Sequence, residues 1–319
     1  MPVREHSLSA EPTHSRWNRA LEPRLMIGPG DTVHFECVDA SGGQVVPGMS
    51  AAEFVTIDRG RIHALTGPVA IAGAEAGDVL EVQILDISHK GWGWSSVIEG
   101  LGFLKERFSY PYLFHWTLDG AFTRSLAPAV VPLRPFCGVM GVAPADDGEF
   151  RTRAPGAFGG NLDVRELYAG STLYLPVLNK GALFSCGDGH AAQGDGEVCI
   201  NGIECPLDVT LRFHLHKARD LDGPFIEVAQ HAIPAHQSAA WVVVESDRDA
   251  LQAARRATSR MVDLLTEHWG FSDVHAYLLC SVAMNLRLSQ VVNEPMITVS
   301  ASLSKHILPE RQLYPHAGQ

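Results

Sequence analysis

Several absences narrow the field before any motif is read. No stretch approaches the ~20 consecutive apolar residues of a membrane span, and the opening segment Met1–Asn18 is polar, without the apolar core of a signal peptide. A cytoplasmic protein with no membrane contact is therefore expected. Cysteine is scarce, with six residues and no Cys-x-x-Cys pair, which argues against a disulfide scaffold or a thiolate zinc knuckle. Positive charge is also short: 25 Lys+Arg against 36 Asp+Glu leave a net charge of −11, which opposes binding to nucleic acid or an anionic membrane. The chain has no Gly-x-Ser-x-Gly elbow, no P-loop and no His-Glu-x-x-His helix, and the acidic spacing of an EF-hand is missing.

What the chain has in quantity is glycine (30), proline (19) and histidine (15). From Asp31 to about Glu245, short alternating runs are broken by Gly, Pro, Asn and Asp, the pattern of successive strands and turns. Strands are predicted at Val79–Ile87, Ser171–Val177, Ala182–Cys186, Val209–Leu215 and Ala240–Glu245. In the first strong run Val33, Phe35 and Cys37 alternate with His34 and Glu36, so those two share the opposite face. After Ser246-Asp247, either of which can cap a helix, Arg248 to His268 contains no Gly or Pro and carries apolar residues at helical spacing, with Gly270 as a stop. A second helix is predicted from Ser272-Asp273 to about Gln290, and alternation at Ile297, Val299, Ala301 and Leu303 predicts one more strand. The expected architecture is mainly β, sandwich- or barrel-like, with a smaller C-terminal α/β part: a β-rich catalytic region over 1–245 and a helical region over 246–319 packed on it.

The densest chemistry lies in Gly187-Asp188-Gly189-His190-Ala191-Ala192-Gln193-Gly194-Asp195-Gly196-Glu197. If extended, Asp188 and His190 point the same way, as do Asp195 and Glu197, and the glycines let a ligand approach the backbone. Three carboxylates and an imidazole suit a divalent ion that activates water; a solvated polar turn fits the same residues. Glu36 with His34 is a second candidate, against the plain alternative of an exposed strand face. Asn161 and Asp163 in Gly159-Gly160-Asn161-Leu162-Asp163 are a third, and His63 is a fourth that could reach a shared site across the fold. Cys186 stands beside the acidic cluster as a thiol nucleophile, although neighbouring carboxylates oppose a thiolate.

In their order along the chain these motifs resemble the acetamidase/formamidase family. The likeness is carried by His14 with Trp17, Gly30-Asp31-Thr32-Val33-His34-Phe35-Glu36 with Asp39, and Gly42-Gly43. It continues through His63-Ala64-Leu65-Thr66-Gly67-Pro68, Ala76-Gly77-Asp78-Val79-Leu80-Glu81-Val82 and Gly138-Val139-Met140-Gly141-Val142-Ala143-Pro144, and is strongest at Gly159–Asp163 and Gly187–Glu197. The resemblance implies hydrolysis of short linear amides to a carboxylate and ammonia, with a divalent metal, zinc first and calcium as the alternative. Carried onto this chain, it makes Asp188 and His190 metal-site residues, with Glu36, His63 and Asp163 as further ligands. Asp195 or Glu197 is our assignment for the proton carrier. A small-molecule amide substrate and a symmetric homo-oligomer are expected. Two other readings stay open at this stage: a thiol amidase using Cys186, and a non-catalytic β-rich metabolite-binding protein with a structural ion.

Overall fold

Alternation along Thr32–Cys37 drives the first sheet: Val33, Phe35 and Cys37 are buried while His34 and Glu36 are exposed. In the computed structural model, which describes residues 4–219, 221, 223–228, 240–290 and 297–309, this strand belongs to a six-stranded sheet. Its spatial order is Glu5–Leu8, Thr32–Cys37, Leu207–His216, Val79–His89, Ser171–Pro176 and Phe225–Val228. Only the first pair is parallel. A second sheet runs Gly159–Asn161, Phe136–Gly141, Phe184–His190, Leu65–Ile71 and Leu25–Ile27. Its Phe136–Gly141, Phe184–His190 and Leu65–Ile71 strands are buried throughout, so none shows the polar/apolar alternation of a half-exposed strand; Phe136–Gly141 is wholly apolar or glycine, while Phe184–His190 carries the buried Ser185, Asp188 and His190.

The inner faces of the two sheets meet to form the core. The Phe184 ring lies 6.1 Å from Phe35 and 5.1 Å from Phe213, both edge-on. Cys37 and Cys186 touch across the same layer, sulfur to sulfur 4.0 Å. A hairpin of Trp92–Val97 and Tyr112–Thr117 leaves the sandwich and is tied back by Trp94, whose backbone exchanges hydrogen bonds of 2.8 Å with Glu204 in both directions. A one-turn helix, α1 (Ala51–Phe54), closes its outer side with the buried Phe54 ring 5.4 Å from Trp94.

Two longer helices and a three-stranded sheet (Ala240–Asp247, Ile297–Ser304, Met284–Gln290) form the C-terminal part, and two short strand pairs, Arg16–Trp17 with Phe150–Arg151 and Phe122–Thr123 with Val131–Pro132, lie outside the large sheets. Helix α2 (Ala250–Trp269) is capped by Asp249, whose carboxylate accepts the Leu251 amide at 2.8 Å, and it ends at Gly270 with φ 73°. Ser246 and Asp247 instead finish the preceding strand, so the cap lies two residues beyond the earlier pair. Buried Ala253, Ala257, Met261, Val262 and Leu265 press one face of α2 on this sheet. Helix α3 (Asp273–Ala283) starts at Ser272 as its sequence requires but stops well short of Gln290. Residues Met284–Gln290 become a strand because Ile297–Ser304 pairs with them and the Leu286 amide donates to the Asp195 carbonyl at 2.7 Å. Buried residues of α2, α3 and both large sheets form one contiguous apolar cluster. Among the described residues no helix is long and apolar enough to cross a membrane.

Candidate active site

The glycine-rich cluster begins inside a strand. Phe184–His190 pairs with Phe136–Gly141 on one side and Leu65–Ile71 on the other, so Asp188 and His190 are inserted into the sheet rather than displayed on a loop. Glycine is required on each flank of Asp188. A Cβ at Gly187 would come 2.7 Å from the Ala64 carbonyl oxygen, and one at Gly189 would come 2.4 Å from that of Cys205. Between them Asp188 takes φ 56°, a conformation uncommon for a residue with a side chain, and the strict two-residue alternation breaks there. Cys186 therefore enters the core toward Cys37, while Asp188 and His190 both reach a cavity of about 690 Å³ on the hairpin side.

His190 is the hub, only 1% exposed. Its Nδ1 lies 2.8 Å from Gln193 Oε1, and Gln193 Nε2 donates to the Asp163 carbonyl at 2.9 Å, which fixes the amide's orientation. Nδ1 therefore carries a proton, and Nε2 turns to three carboxylates: Glu204 at 3.1 Å, Asp188 at 3.8 Å and Glu197 at 3.8 Å. Asp163 reaches the ring from the other side, 4.0 Å from Nδ1. Asp163, like Asp188, has positive φ (46°), and its amide donates to the Gly138 carbonyl at 3.1 Å, which holds the loop against the sheet.

The cluster concentrates negative charge away from water. Burial raises Glu204 to about 8 against the pull of His190, with Asp188 and Asp163 adding to the rise. Burial likewise raises Asp163 to about 6, and burial with Asp163 close by pushes Glu197 well above the carboxylate range. Burial opposes charge on His190, but Glu204 and Asp188 outweigh it and the ring is held well above its ordinary value. Asp163 Oδ1, Asp188 Oδ1, Glu204 Oε2 and His63 Nδ1 are buried without a hydrogen-bond partner. Such orphaned acceptors are costly in a folded protein unless a cation satisfies them. Two sets have donor atoms within 4.8 Å of one another, Asp188–His190–Glu204 and Asp163–His190–Glu197. The donor set therefore fits a divalent ion.

The structure brings Asp188, His190, Asp163 and Glu197 together and places His63, at φ 54°, on the same cavity wall. It separates two others. Glu36 points outward from the six-stranded sheet, because the pleat that buries Phe35 and Cys37 must expose it. Asp195 turns away from the cavity to pair with Arg165 at 2.7 Å, with Arg287 at 3.7 Å, and does not share a face with Glu197. Cys186 does not line the cavity; burial raises its thiol well above the ordinary value, which leaves it inert. Glu204 was not foreseen. Its one trace in the sequence is a lone carboxylate between Ile203 and Cys205, both fully buried in the structure, where a charge needs a partner.

A family model described as the Acetamidase/Formamidase family matches residues 3–149 and 147–310. A formamidase of Methylophilus methylotrophus is 29% identical over 244 residues, covering 59% of this chain and 60% of that enzyme. The solved structure of a γ-lactamase from Delftia acidovorans superposes with a TM-score of 0.88 at 25% identity, over 96% of this chain and 91% of that one. An acetamidase structure from Bacillus halodurans gives a TM-score of 0.67 at 34% identity, over 94% and 97%.

Proposed function

The chain belongs to the acetamidase/formamidase family, and from that premise we propose that the cluster around His190 hydrolyses short carboxamides to a carboxylate and ammonia, with a divalent cation bound by the cluster. The observation that carries the reading is the convergence of four carboxylates, Asp188 and Glu204 buried and Asp163 and Glu197 half-buried, on one imidazole lining a cavity, with three of their oxygens lacking any hydrogen-bond partner. Names borne by the relatives, formamidase and acetamidase, support the substrate class.

Amides resist water because the carbonyl is a weak electrophile and the nitrogen leaves poorly unless protonated. Asp188, His190 through Nε2, and Glu204 would hold the ion, and Gln193 keeps His190 in the tautomer that offers Nε2. A bound divalent cation supplies Lewis-acid polarisation of the amide carbonyl and of the attacking water. Zinc is the first candidate because it takes imidazole nitrogen readily, whereas calcium prefers oxygen alone. Glu197 lies at the same ring nitrogen but is less buried, with 19% of its side chain exposed, so it faces the substrate space. It takes the proton from water as the new C–O bond forms and gives it to the amide nitrogen as the C–N bond breaks. In the cation-free site, burial and the neighbouring Asp163 raise its pKa, which favours its holding a proton.

The test is ammonia release from formamide, acetamide, propionamide and a γ-lactam, run beside elemental analysis of the purified protein. The lactam is included because the γ-lactamase structure superposes with the higher TM-score. Metal bound at one equivalent with hydrolysis of at least one amide supports the proposal. A metal-loaded protein that hydrolyses none of them refutes it in favour of a binding protein.

A further inference from the structure

The cavity is much larger than acetamide, and its lining carries charge of both signs. Four non-hydrogen atoms occupy on the order of 100 Å³ when scaled from the ~30 Å³ of a water molecule, whereas the cavity holds about 690 Å³. Pockets of this size hold ligands of considerably more atoms. Its apolar lining is Phe54, Ile62, Trp94, Ile98, Leu101 and Ile200. Arg16, Arg59, Arg151 and Arg153 line the same cavity; Arg59, Arg151 and Arg153 are exposed and Arg16 half-buried, so they form its solvent-side rim, whereas Asp188, His190 and Glu204 are buried.

These arginines are spare. In a chain of net charge −11, no ion pair joins any of the four to a carboxylate among the described residues. Arg59 lies over the Phe54 ring at 4.8 Å and gives one weak hydrogen bond of 3.4 Å to the Phe54 carbonyl, leaving most of its fork open. Arg16 donates to the carbonyls of Ser15 at 2.7 Å and Gly60 at 3.4 Å. Arg16 and Arg151 are also direct cross-strand partners in the two-stranded pair Arg16–Trp17 and Phe150–Arg151. Like charges directly opposite each other destabilise a strand pair. An anion between them would remove that repulsion through charge-assisted, two-pronged hydrogen bonds.

We propose that the rim of Arg16, Arg59, Arg151 and Arg153 binds a carboxylate on the substrate, so that the preferred substrates are monoamides of dicarboxylic acids, with the amide at the buried acidic cluster, the chain along the apolar lining and the free carboxylate at the arginines. The proposal rests on amide hydrolysis at the His190 cluster. It adds that the carboxylate end is recognised at a distance from the chemistry, where its binding energy orients the amide.

The experiment compares kcat/KM for each monoamide of succinic, glutaric and adipic acid with that for the neutral linear amide of equal length, such as glutaramate against pentanamide. In the unmodified protein at least one acid is expected to exceed its neutral counterpart by about tenfold or more, and the ratio should shrink in 0.5 M salt. Arg59→Ala combined with Arg151→Ala should bring the ratio close to one; because it is taken within one variant, loss of folded protein cancels. A ratio at or below one in the unmodified protein, or one untouched by the two substitutions, overturns the rim assignment while leaving amide hydrolysis in place. Should no amide be hydrolysed, the amidase reading fails by itself and the rim is judged by calorimetric binding of glutarate. Binding weakened about tenfold by the double substitution supports the rim, and absence of binding overturns it.

Discussion

Gly138 offers a test of whether the spacing of the two aspartates controls turnover. It sits in the strand Phe136–Gly141 between Asp163 and Asp188, and a Cβ built there would lie 2.6 Å from Asp163 Oδ1 and 2.7 Å from Asp188 Oδ2. Ordinary contact begins near 3.4 Å, so Gly138→Ala requires the two carboxylate oxygens to retreat by about 0.7 to 0.8 Å. The backbone itself accepts alanine, since Gly138 is not among the positive-φ residues. Replacing glycine within a strand gains about 0.5–1 kcal/mol, which offsets much of the crowding. Net stability should therefore change by no more than about 1 kcal/mol, a shift of a few degrees in melting temperature. Activity responds differently, because misplacing reacting groups by about 1 Å costs on the order of 100-fold, equivalent to about 2.7 kcal/mol of barrier. The assay pairs steady-state ammonia release with a thermal melt and metal analysis of the same preparation. A fall of roughly 10- to 100-fold in kcat with a near-native melt is expected. Unchanged turnover would refute the claim that Asp163 and Asp188 act at a shared site, and a melt lowered by ten degrees or more would show that Gly138 serves packing instead.

Further outcomes follow from the same geometry. Asp188→Asn and His190→Ala should each lower bound metal and activity together, whereas Glu197→Gln should retain the metal and lose about 10²–10⁴ in kcat, as expected for a lost general base; full activity in metal-free Asp188→Asn would remove the ion from the reaction. Cys186→Ala should keep its activity and lose about 1 kcal/mol of stability, because the thiol only fills the core between the sheets; inactivation without unfolding would restore the thiol mechanism. The pH dependence has a definite sign. With Asp163 raised to about 6 and Glu204 to about 8, the folded protein without a cation binds more protons than the unfolded chain from the ordinary carboxylate range up to about pH 8. Its stability therefore falls as pH rises through that window. Added zinc should raise the melting temperature more at pH 8 than at pH 6, since at the lower pH it must displace protons; a pH-independent zinc effect in a thermal-shift series would contradict the assignment.

Much of this was legible in the chain. Strand alternation at Thr32–Cys37 gave both the buried set and the outward Glu36 and His34. Gly270 and Ser272 punctuate the helices as local chemistry demands, whereas the cap of α2 falls at Asp249 because the strand before it takes up Ser246 and Asp247. The crowding of Asp188 and His190 among glycines marked the site, because a charged strand without room for neighbouring side chains has few structural uses. Less legible was the end of α3. Residues Met284–Gln290 carry apolar residues that suit either a helix or a strand, and the pairing with Ile297–Ser304 decides between them.

By itself the sequence determined a mainly β protein with late helices, a net charge of −11, and a glycine-framed Asp–His pair. These properties depend on side-chain period, turn chemistry and charge, all of which are local or additive. Only the tertiary structure decided which carboxylates face His190. Glu204, fourteen residues away, arrives through the backbone exchange with Trp94. Asp195, five residues from His190, is drawn off by Arg165 and Arg287, and Glu36 is excluded by the pleat of its own sheet. The assembly of charges in a buried site depends on which chain segments pack against one another, and sequence distance carries little information about that.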